Sequence, residues 1–273
     1  MKDYNAVMQE SEFNKASLGL PLARYEYFSS VGSTNDVVAD WAREGATGLC
    51  LAYADEQIHG RGRAGRTWFT PPGSALAFSL LLDTAPKLGP VLPGLVSGLG
   101  ALAVCQALED LYELIPQIKW PNDVLLDGKK VCGVLVEMQW SGERLTAPIL
   151  GIGINIAPSS LPPKKELNFP ATCVQDAVGR EPDAALMLRA ALESLINWKD
   201  KLGDPEFVQA WDQRLAYKGH HVRLEGGGDP TVKGEILGLA ADGSLQMRLA
   251  SGDVKGFYMG EIQIRPLVDT SSK

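Results

Sequence analysis

The sequence has little of what most metal sites and covalent enzymes require. Its 273 residues include only three histidines, His59, His220 and His221. The four cysteines are spread from Cys50 to Cys173 without a Cys-x-x-Cys pair. This scarcity argues against a zinc cluster and against a Ser-His-Asp triad. No carboxylate pair stands out either, so we expect no metal held by protein side chains.

Signals for secretion, for a membrane and for nucleic acid are also missing or weak. Separated cysteines are typical of buried free thiols in a reducing compartment, and the polar N-terminus lacks the apolar segment of a signal peptide. Residues 88–108 carry no charge, but their prolines and glycines favour a helix packed on a sheet over a membrane span. The net charge of −7 argues against nucleic acid as a partner. We therefore expect a cytoplasmic protein that binds neither membranes nor nucleic acid.

The order of strands and helices predicts an α+β protein. We expect residues 1–22 to form a loose N-terminal arm and residues 23–216 to form the larger domain. Short strands broken by Gly and Asp-Gly predict a small β-barrel over residues 217–273. Within the larger domain, the run 91–114 predicts a long buried helix, and an Asp-Gly pair within 118–140 predicts a hairpin.

One loop of this acidic chain, HGRGRAGRTW at residues 59–68, is rich in arginine. It supplies Gly60, Arg61, Gly62, Arg63, Gly65 and Arg66. The glycines read G-x-G-x-x-G, but Pro71 and Pro72 follow where a dinucleotide-binding turn needs a helix. A flexible linker does not explain arginines placed between buried strands. Glycines free the backbone and arginines hold carboxylate or phosphate oxygens, so the loop indicates a lid that orders around an anion.

Three further motifs place polar groups beside apolar runs. KWPNDV at 119–124 is followed by Lys129 and Lys130. Lys130 leads directly into the apolar run VCGVLVEM, so its side chain can point into a site. For Lys119 and Lys129 the sequence does not decide between a site and the protein surface. GSTND at 32–36 is typical of a helix N-terminus, whose free N–H groups can bind a polar ligand. In GIGIN at 151–155, alternating glycines allow close approach to the strand, and Asn155 can read an amide or a nucleobase edge. These groups imply stabilisation of an anionic transition state by Arg and Lys.

Together the motifs resemble those of biotin–protein ligases. GSTN, DEQIHGRGRAGRTW, KWPNDVLLDGKKVCGVLVE and GIGINI occur in the order seen in that family, and the resemblance covers about residues 25–266. It implies a central mixed sheet with helices on one side, as in class II aminoacyl-tRNA synthetases, followed by an SH3-like barrel. It also implies that biotin and MgATP form biotinyl-5′-AMP and pyrophosphate. A lysine of a biotin carboxyl carrier domain would then take the biotin and release AMP.

The resemblance also implies roles for individual residues. Lys130 corresponds to the catalytic lysine, and Arg63 to the arginine that holds the reacting carboxylate and phosphate and retains the intermediate. Biotin contacts are implied for Ser33, Thr34, Asn35, Gln57, Gly60, Arg61, Gly62, Arg63 and Lys130. ATP or adenylate contacts are implied for Arg61, Arg63, Arg66, Trp68, Asn122, Asp123 and Asn155. Mg²⁺ is expected to arrive with ATP.

Departures from the family pattern leave alternatives open. Ala64 stands where many members have a further arginine, which predicts a weaker hold on the intermediate. About 24 residues precede YEYFSS, too few for the helix-turn-helix domain of bifunctional repressors, so repressor function is not expected.

A lipoate–protein ligase or octanoyltransferase of the same fold, or a biotin sensor without ligase activity, would share part of the pattern. The sequence leaves open whether the carrier belongs to acetyl-CoA or pyruvate carboxylase, and whether the protein is a monomer or a homodimer.

Overall fold

The computed structural model describes residues 8–82, 92–141, 144–163, 165, 167, 169–225, 231–258 and 263–266. The helices in these residues are α1 (Glu10–Ser17), α2 (Thr34–Arg43), α3 (Leu92–Tyr112), α4 (Val174–Val178), α5 (Ala184–Lys199) and α6 (Pro205–Gln213). The strands are β1 (Arg24–Phe28), β2 (Cys50–Ala54), β3 (Ala75–Leu81), β4 (Gln117–Lys119), β5 (Asp123–Leu126), β6 (Lys129–Ser141), β7 (Arg144–Asn155), β8 (His221–Glu225), β9 (Val232–Leu239), β10 (Leu245–Leu249), β11 (Val254–Phe257) and β12 (Gln263–Pro266).

The larger sheet is mixed, as the resemblance implied. Its seven strands run in the order β1-β2-β3-β7-β6-β5-β4, with β1 parallel to β2 and the other neighbours antiparallel. The expectation of helices on one side is wrong for β2. Cys50 and Ala52 pack with α2 on one face, whereas Leu51 and Tyr53 join the main core on the other. Because CLAYA is apolar at every position, this strand can be covered on both faces.

The uncharged run predicted as a buried helix forms α3. Its stretch Pro93–Tyr112 is long and apolar enough for a membrane span, but 72% of its most apolar window is buried within the fold. The helix packs against the central sheet and against α5. Its small residues permit this close packing: a Cβ atom at Gly98 would lie 2.5 Å from the Trp211 ring, and one at Gly100 would lie 3.0 Å from Leu150.

The C-terminal strands form a second, antiparallel sheet in the order β11-β10-β9-β8-β12, in agreement with the SH3-like unit expected from the sequence. Several hydrogen bonds tie this unit to the larger one, among them that of Lys218 with Asp212. Trp120 Nε1 donates to the Gly243 carbonyl at 3.1 Å, and the Leu239 amide donates to Asp212 Oδ1 at 2.8 Å. Trp120 precedes the Asn122-Asp123 motif, so the barrel contacts the segment that carries part of the predicted site. The domain boundary at residue 217 stays a prediction.

The N-terminal segment differs from the loose arm that the sequence predicted. Glu10–Ser17 forms helix α1, and Phe13 is fully buried, with ring centroids 5.6 Å from Tyr53 and 6.0 Å from Tyr27. Arg189 of α5 donates to the carbonyl of Ala16. A helix of eight residues with one large apolar anchor gives too short a periodic signal to recognise in sequence.

Replacing Phe13 with alanine is expected to lower the free energy of unfolding by about 3 kcal/mol or more, because the change empties a ring-sized volume in the core. Urea denaturation of the variant and the parent protein measures this difference. Leu18→Ala, at a side chain that is 69% exposed, is the matched control and should change stability by less than about 0.5 kcal/mol. A Phe13→Ala loss as small as that of the control would show that docking of α1 adds nothing to stability.

Candidate active site

Polar groups from distant parts of the chain converge on a cavity of about 330 Å³. The predicted site residues that line it are Ser33, Thr34, Asn35, Gln57, Arg61, Gly62, Arg63, Arg66, Trp68, Asn122, Asp123, Lys130 and Asn155. Gly60 is absent from the lining. The structure thus brings thirteen of the fourteen predicted residues into one place, while the contact that each makes with a ligand stays a prediction.

A buried cationic network forms around Asp123. Lys130 Nζ lies 2.6 Å from Asp123 Oδ1, and Lys119 Nζ lies 3.4 Å from Asp123 Oδ2. Burial alone would raise the pKa of Asp123, but the two lysines outweigh it and hold that pKa below its ordinary value. One carboxylate therefore faces two ammonium groups, which leaves positive charge available to an anion.

A second network fixes the N-terminus of α2. Gln57 Oε1 accepts hydrogen bonds from the Thr34 amide at 2.9 Å and from Thr34 Oγ1 at 3.1 Å. Asn35 Oδ1 accepts from Ser79 Oγ at 2.6 Å, while Asn35 Nδ2 donates to Glu137 at 2.7 Å. Ser33 is the N-cap residue, but its side chain makes no capping hydrogen bond. The GSTN motif thus folds into a hydrogen-bonded rim of hydroxyl and amide groups.

The arginine-rich loop is a short hairpin. Arg61 pairs with Thr67, the Gly62 amide donates to the Arg66 carbonyl at 2.6 Å, and the Trp68 amide donates to the Gly60 carbonyl at 2.9 Å. Its turn has two left-handed residues, Ala64 at φ 55° and Gly65 at φ 69°, the backbone of a type I′ turn. Gly60 is needed because a Cβ atom there would collide with the Trp68 carbonyl. Ala64 is exposed and does not line the cavity.

The three arginines of this hairpin, residues 59–68, which we call the lid, are anchored differently. Arg61 donates to both carboxylate oxygens of Asp36, at 2.8 and 2.6 Å. Arg63 Nη1 donates to Asn122 Oδ1 at 2.8 Å, and burial lowers the pKa of Arg63 from its ordinary value. Arg66 Nε donates to the Arg63 carbonyl at 3.0 Å. Arg63 is therefore the lid arginine held deepest beside the cationic network.

Trp68 fills the space left by two glycines. A Cβ atom at Gly153 would lie under 3.0 Å from its indole, and one at Gly133 would lie 3.1 Å from it. Lys130 Nζ is 5.4 Å from the Trp68 ring centroid. Gly151 gives Asn35 the same kind of room. The alternating glycines of GIGIN therefore let Trp68 and Asn35 lie against the strand.

Substituting Gly153 with alanine is expected to displace Trp68, because the new methyl group occupies the place of the indole. Formation of biotinyl-5′-AMP, the intermediate that the resemblance implies, should then be slower by about tenfold or more. The matched control is Gly32→Ala, because Gly32 does not line the cavity and an added Cβ atom there would be 3.8 Å from its nearest neighbour, in ordinary van der Waals contact. Catalytic rate and intrinsic tryptophan fluorescence measure the effect. Parent-like values for both in Gly153→Ala would show that Trp68 need not lie there.

The residues that were not assigned to the site from sequence include Lys119, which lines the cavity, and Glu137, which contacts two lining residues. Lys119, left open by the sequence, is 6% exposed, and its Nζ lies 4.7 Å from the Phe169 ring centroid, whereas Lys129 is exposed as a surface residue would be. Glu137 contacts both Asn35 and Arg61. A lysine at the end of a buried strand was the available signal for Lys119; nothing in the local sequence marked Glu137. Asn155, predicted to contact adenine, uses its Nδ2 to donate to the Thr172 carbonyl at 3.0 Å.

The larger domain and the C-terminal domain each match a known protein family. Residues 27–155 match the biotin/lipoate A/B protein ligase family, and residues 218–265 match the biotin protein ligase C-terminal domain. The biotin–[acetyl-CoA-carboxylase] ligase of Paracoccus denitrificans is 32% identical over 222 residues, which is 76% of this chain and 88% of the relative. The chain belongs to the biotin protein ligase family.

Solved biotin protein ligases share its fold. The Aquifex aeolicus enzyme in complex with biotin and ATP superposes with a TM-score of 0.74 at 31% identity, covering 90% of this chain and 100% of that one. The Leishmania major enzyme in complex with biotinyl-5-AMP gives a TM-score of 0.59 at 26% identity, covering 87% and 99%. Within the described ranges of this biotin protein ligase, no group of three or more His, Cys, Asp or Glu side chains is arranged to hold a metal ion.

Proposed function

We propose that the protein is a biotin–[biotin carboxyl-carrier protein] ligase that joins biotin to a lysine of its carrier at the expense of ATP. The observation that carries this is the meeting of Lys130, Arg63 and Asn35 on one cavity under the lid. Neutral amide and hydroxyl groups suit the ureido ring of biotin, and the cationic network suits a carboxylate and a phosphate. The C-terminal domain match favours biotin over lipoate or octanoate.

In the first step, a carboxylate oxygen of biotin attacks the α-phosphorus of ATP. The new P–O bond forms as the bond to the pyrophosphate oxygen breaks, which gives biotinyl-5′-AMP and pyrophosphate. Negative charge gathers on the phosphoryl oxygens between nucleophile and leaving group. Lys130 and Arg63 supply fixed positive charge there, and such preorganised charge stabilises the transition state more than it stabilises the separate substrates.

In the second step, the ε-amine of the carrier lysine attacks the biotinyl carbonyl carbon. The amide bond forms, the carbon–oxygen bond to AMP breaks, and the nitrogen loses a proton. The mixed anhydride must survive until the carrier arrives, so water has to be kept away from it. The lid serves this purpose, because it covers the cavity and places Arg63 inside it.

Asp123 has a positioning role in this scheme. Its carboxylate holds Lys130 Nζ at 2.6 Å, and its lowered pKa keeps it ionised. Mg²⁺ bound to ATP would supply further charge neutralisation on the phosphates. Asp123 is the acidic residue lining the cavity within the described residues, and it is already paired with two lysines, which suits a metal that arrives with its nucleotide.

We also propose the acceptor, the cellular compartment and the classes of partner of this protein. The acceptor would be the carrier domain of acetyl-CoA or pyruvate carboxylase, since biotin ligases act on carrier domains of carboxylases. The protein would act in the cytoplasm, which suits its four free, buried cysteines. It would not bind nucleic acid or membranes, in keeping with its net charge of −7. A homodimer and a monomer are both compatible with the proposal.

Substrate choice tests the proposed function. Purified protein is given ATP with biotin, lipoate or octanoate, and pyrophosphate release is followed before and after a carrier domain is added. We expect release with biotin, together with labelling of the carrier. Product from lipoate or octanoate alone would replace the biotin assignment with a lipoyl-type ligase, and binding of biotin without pyrophosphate release would make the protein a sensor.

A further inference from the structure

Glu137, on central strand β6, links the rim of the cavity to the lid. Its carboxylate accepts a hydrogen bond from Asn35 Nδ2 at 2.7 Å, and Arg61 Nη2 lies 3.3 Å from each of its oxygens. Asn35 belongs to the rim formed by α2, and Arg61 belongs to the lid. One side chain with no part in the reaction steps above therefore contacts both.

On the rim side, Glu137 fixes the orientation of an amide. Asn35 Oδ1 accepts from Ser79 Oγ at 2.6 Å, so the NH₂ end of the amide is the end that faces Glu137. An amide held at both ends presents one donor and acceptor pattern to a ligand. Without Glu137, the Asn35 donor would lose the partner that sets this pattern.

On the lid side, Glu137 shares Arg61 with Asp36, the residue that follows Asn35. The Arg61–Asp36 contact is bidentate, at 2.8 and 2.6 Å, the strongest geometry for a guanidinium and a carboxylate. Hydrogen bonding to Asp36 raises the pKa of Arg61, and Arg61 in turn lowers the pKa of Asp36. We call Asp36, Glu137 and Arg61 the ionic latch.

We propose that Glu137 is a positioning residue: through the ionic latch it holds the lid closed while it orients Asn35, so that biotin recognition and retention of the adenylate are coupled. This rests on the proposed function, since retention has meaning only if the adenylate forms. It also assigns Arg61 a role different from the one implied by resemblance, because Arg61 is anchored on protein carboxylates, whereas Arg63 is bonded to Asn122 within the cavity lining.

Two substitutions at Glu137 separate its tasks. Glu137→Gln keeps an oxygen that can accept from Asn35 but removes the charge facing Arg61. Release of biotinyl-AMP should then be about 1.5- to 5-fold faster, the range expected for partly exposed ion pairs, with little change in KM for biotin. Glu137→Ala removes both contacts, so it should speed release and also raise KM for biotin more than it lowers kcat. Asp36→Asn should speed release as Glu137→Gln does.

The salt dependence of biotinyl-AMP release distinguishes an ionic latch from a purely structural role, because loss of packing alone would not change that dependence. Salt screens exposed charges, and the side chains of Arg61, Asp36 and Glu137 are 38, 56 and 34% exposed. Release from the parent protein should therefore quicken as salt rises, and release from Glu137→Gln should depend less on salt. Exchanging the charges, with Asp36→Arg and Arg61→Asp in one chain, should restore part of the retention lost in either single variant.

The matched control is Glu206→Gln. Glu206 of α6 pairs with Lys201 at 3.1 Å, both side chains are 45% exposed or more, and neither residue lines the cavity or belongs to the lid. Release in this variant should equal that of the parent. Parent-like release and salt dependence in both Glu137→Gln and Asp36→Asn would overturn the latch. Failure of the parent protein to form an adenylate from biotin and ATP would instead overturn the proposed function, so the two failures are distinguishable.

Discussion

Replacing Lys130 with alanine is expected to slow formation of biotinyl-AMP by about 100-fold or more, the loss typical of removing one preorganised donor from a transition state. Lys130 Nζ lies in the cavity, 2.6 Å from Asp123 and 5.4 Å from the Trp68 ring centroid. In the variant, Asp123 keeps its ion pair with Lys119, at 3.4 Å, but loses the one with Lys130, so the net positive charge of the network falls by one. Single-turnover kinetics with saturating biotin and ATP measure the change.

Lys129→Ala is the control for this experiment. Lys129 precedes Lys130 on the same strand but is exposed, so the substitution has the same chemistry without reaching the cavity. It should form adenylate at the parent rate. Thermal unfolding of both variants checks that each is folded. A Lys130→Ala enzyme that is as fast as Lys129→Ala would remove Lys130 from the mechanism.

Changing Arg63 to glycine is expected to let biotinyl-AMP escape about 10- to 100-fold faster, because the lid loses its buried, charge-assisted contact with the intermediate. Its anchor on Asn122, at 2.8 Å, is lost as well. The escaped mixed anhydride should acylate lysines of bystander proteins. Dialysis of preformed complex measures the off-rate, and labelling of added albumin measures the escape.

Glycine at position 63 also loosens the backbone, so a second glycine variant is needed. Ala64→Gly adds the same freedom one residue later, at a left-handed turn position that glycine adopts easily, and removes no group that lines the cavity. It should hold the adenylate as the parent does. Equal off-rates in Arg63→Gly and Ala64→Gly would show that the arginine side chain does not retain the intermediate.

The sequence predicted much of the site because its chemistry is carried by short motifs. A lysine beside an apolar run, three arginines among glycines and a polar helix start mark Lys130, the lid and the start of α2, and the resemblance to biotin–protein ligases then singled out Arg63 and Asn35. The Asp-Gly pair likewise predicted the β5–β6 hairpin, whose Asp127 and Gly128 both have positive φ. Signals of this kind are local, so one chain suffices to detect them.

Other features depend on contacts that one sequence does not display. Glu137 follows the apolar run of β6, a position where a charged residue usually has no special role. Its partner Arg61 is 76 positions away in the sequence, so no local pattern links the two. The lid turn uses Ala64 at a left-handed position, where turn rules favour Asn, Asp or Gly, so its type I′ form was not predictable. Lys119 sits in a strand of three residues, too short for alternation to show which way its side chain points.

The most direct test of the account is a single turnover without carrier. The purified protein is mixed with biotin and ATP labelled at the α-phosphate, quenched in acid, and analysed for biotinyl-AMP; a carrier domain is then added to a parallel sample. The account predicts labelled biotinyl-AMP held by the protein in an amount close to that of the sites, discharged as AMP once the carrier is present. Absence of the labelled anhydride before the carrier is added, with the carrier nonetheless biotinylated, would contradict it.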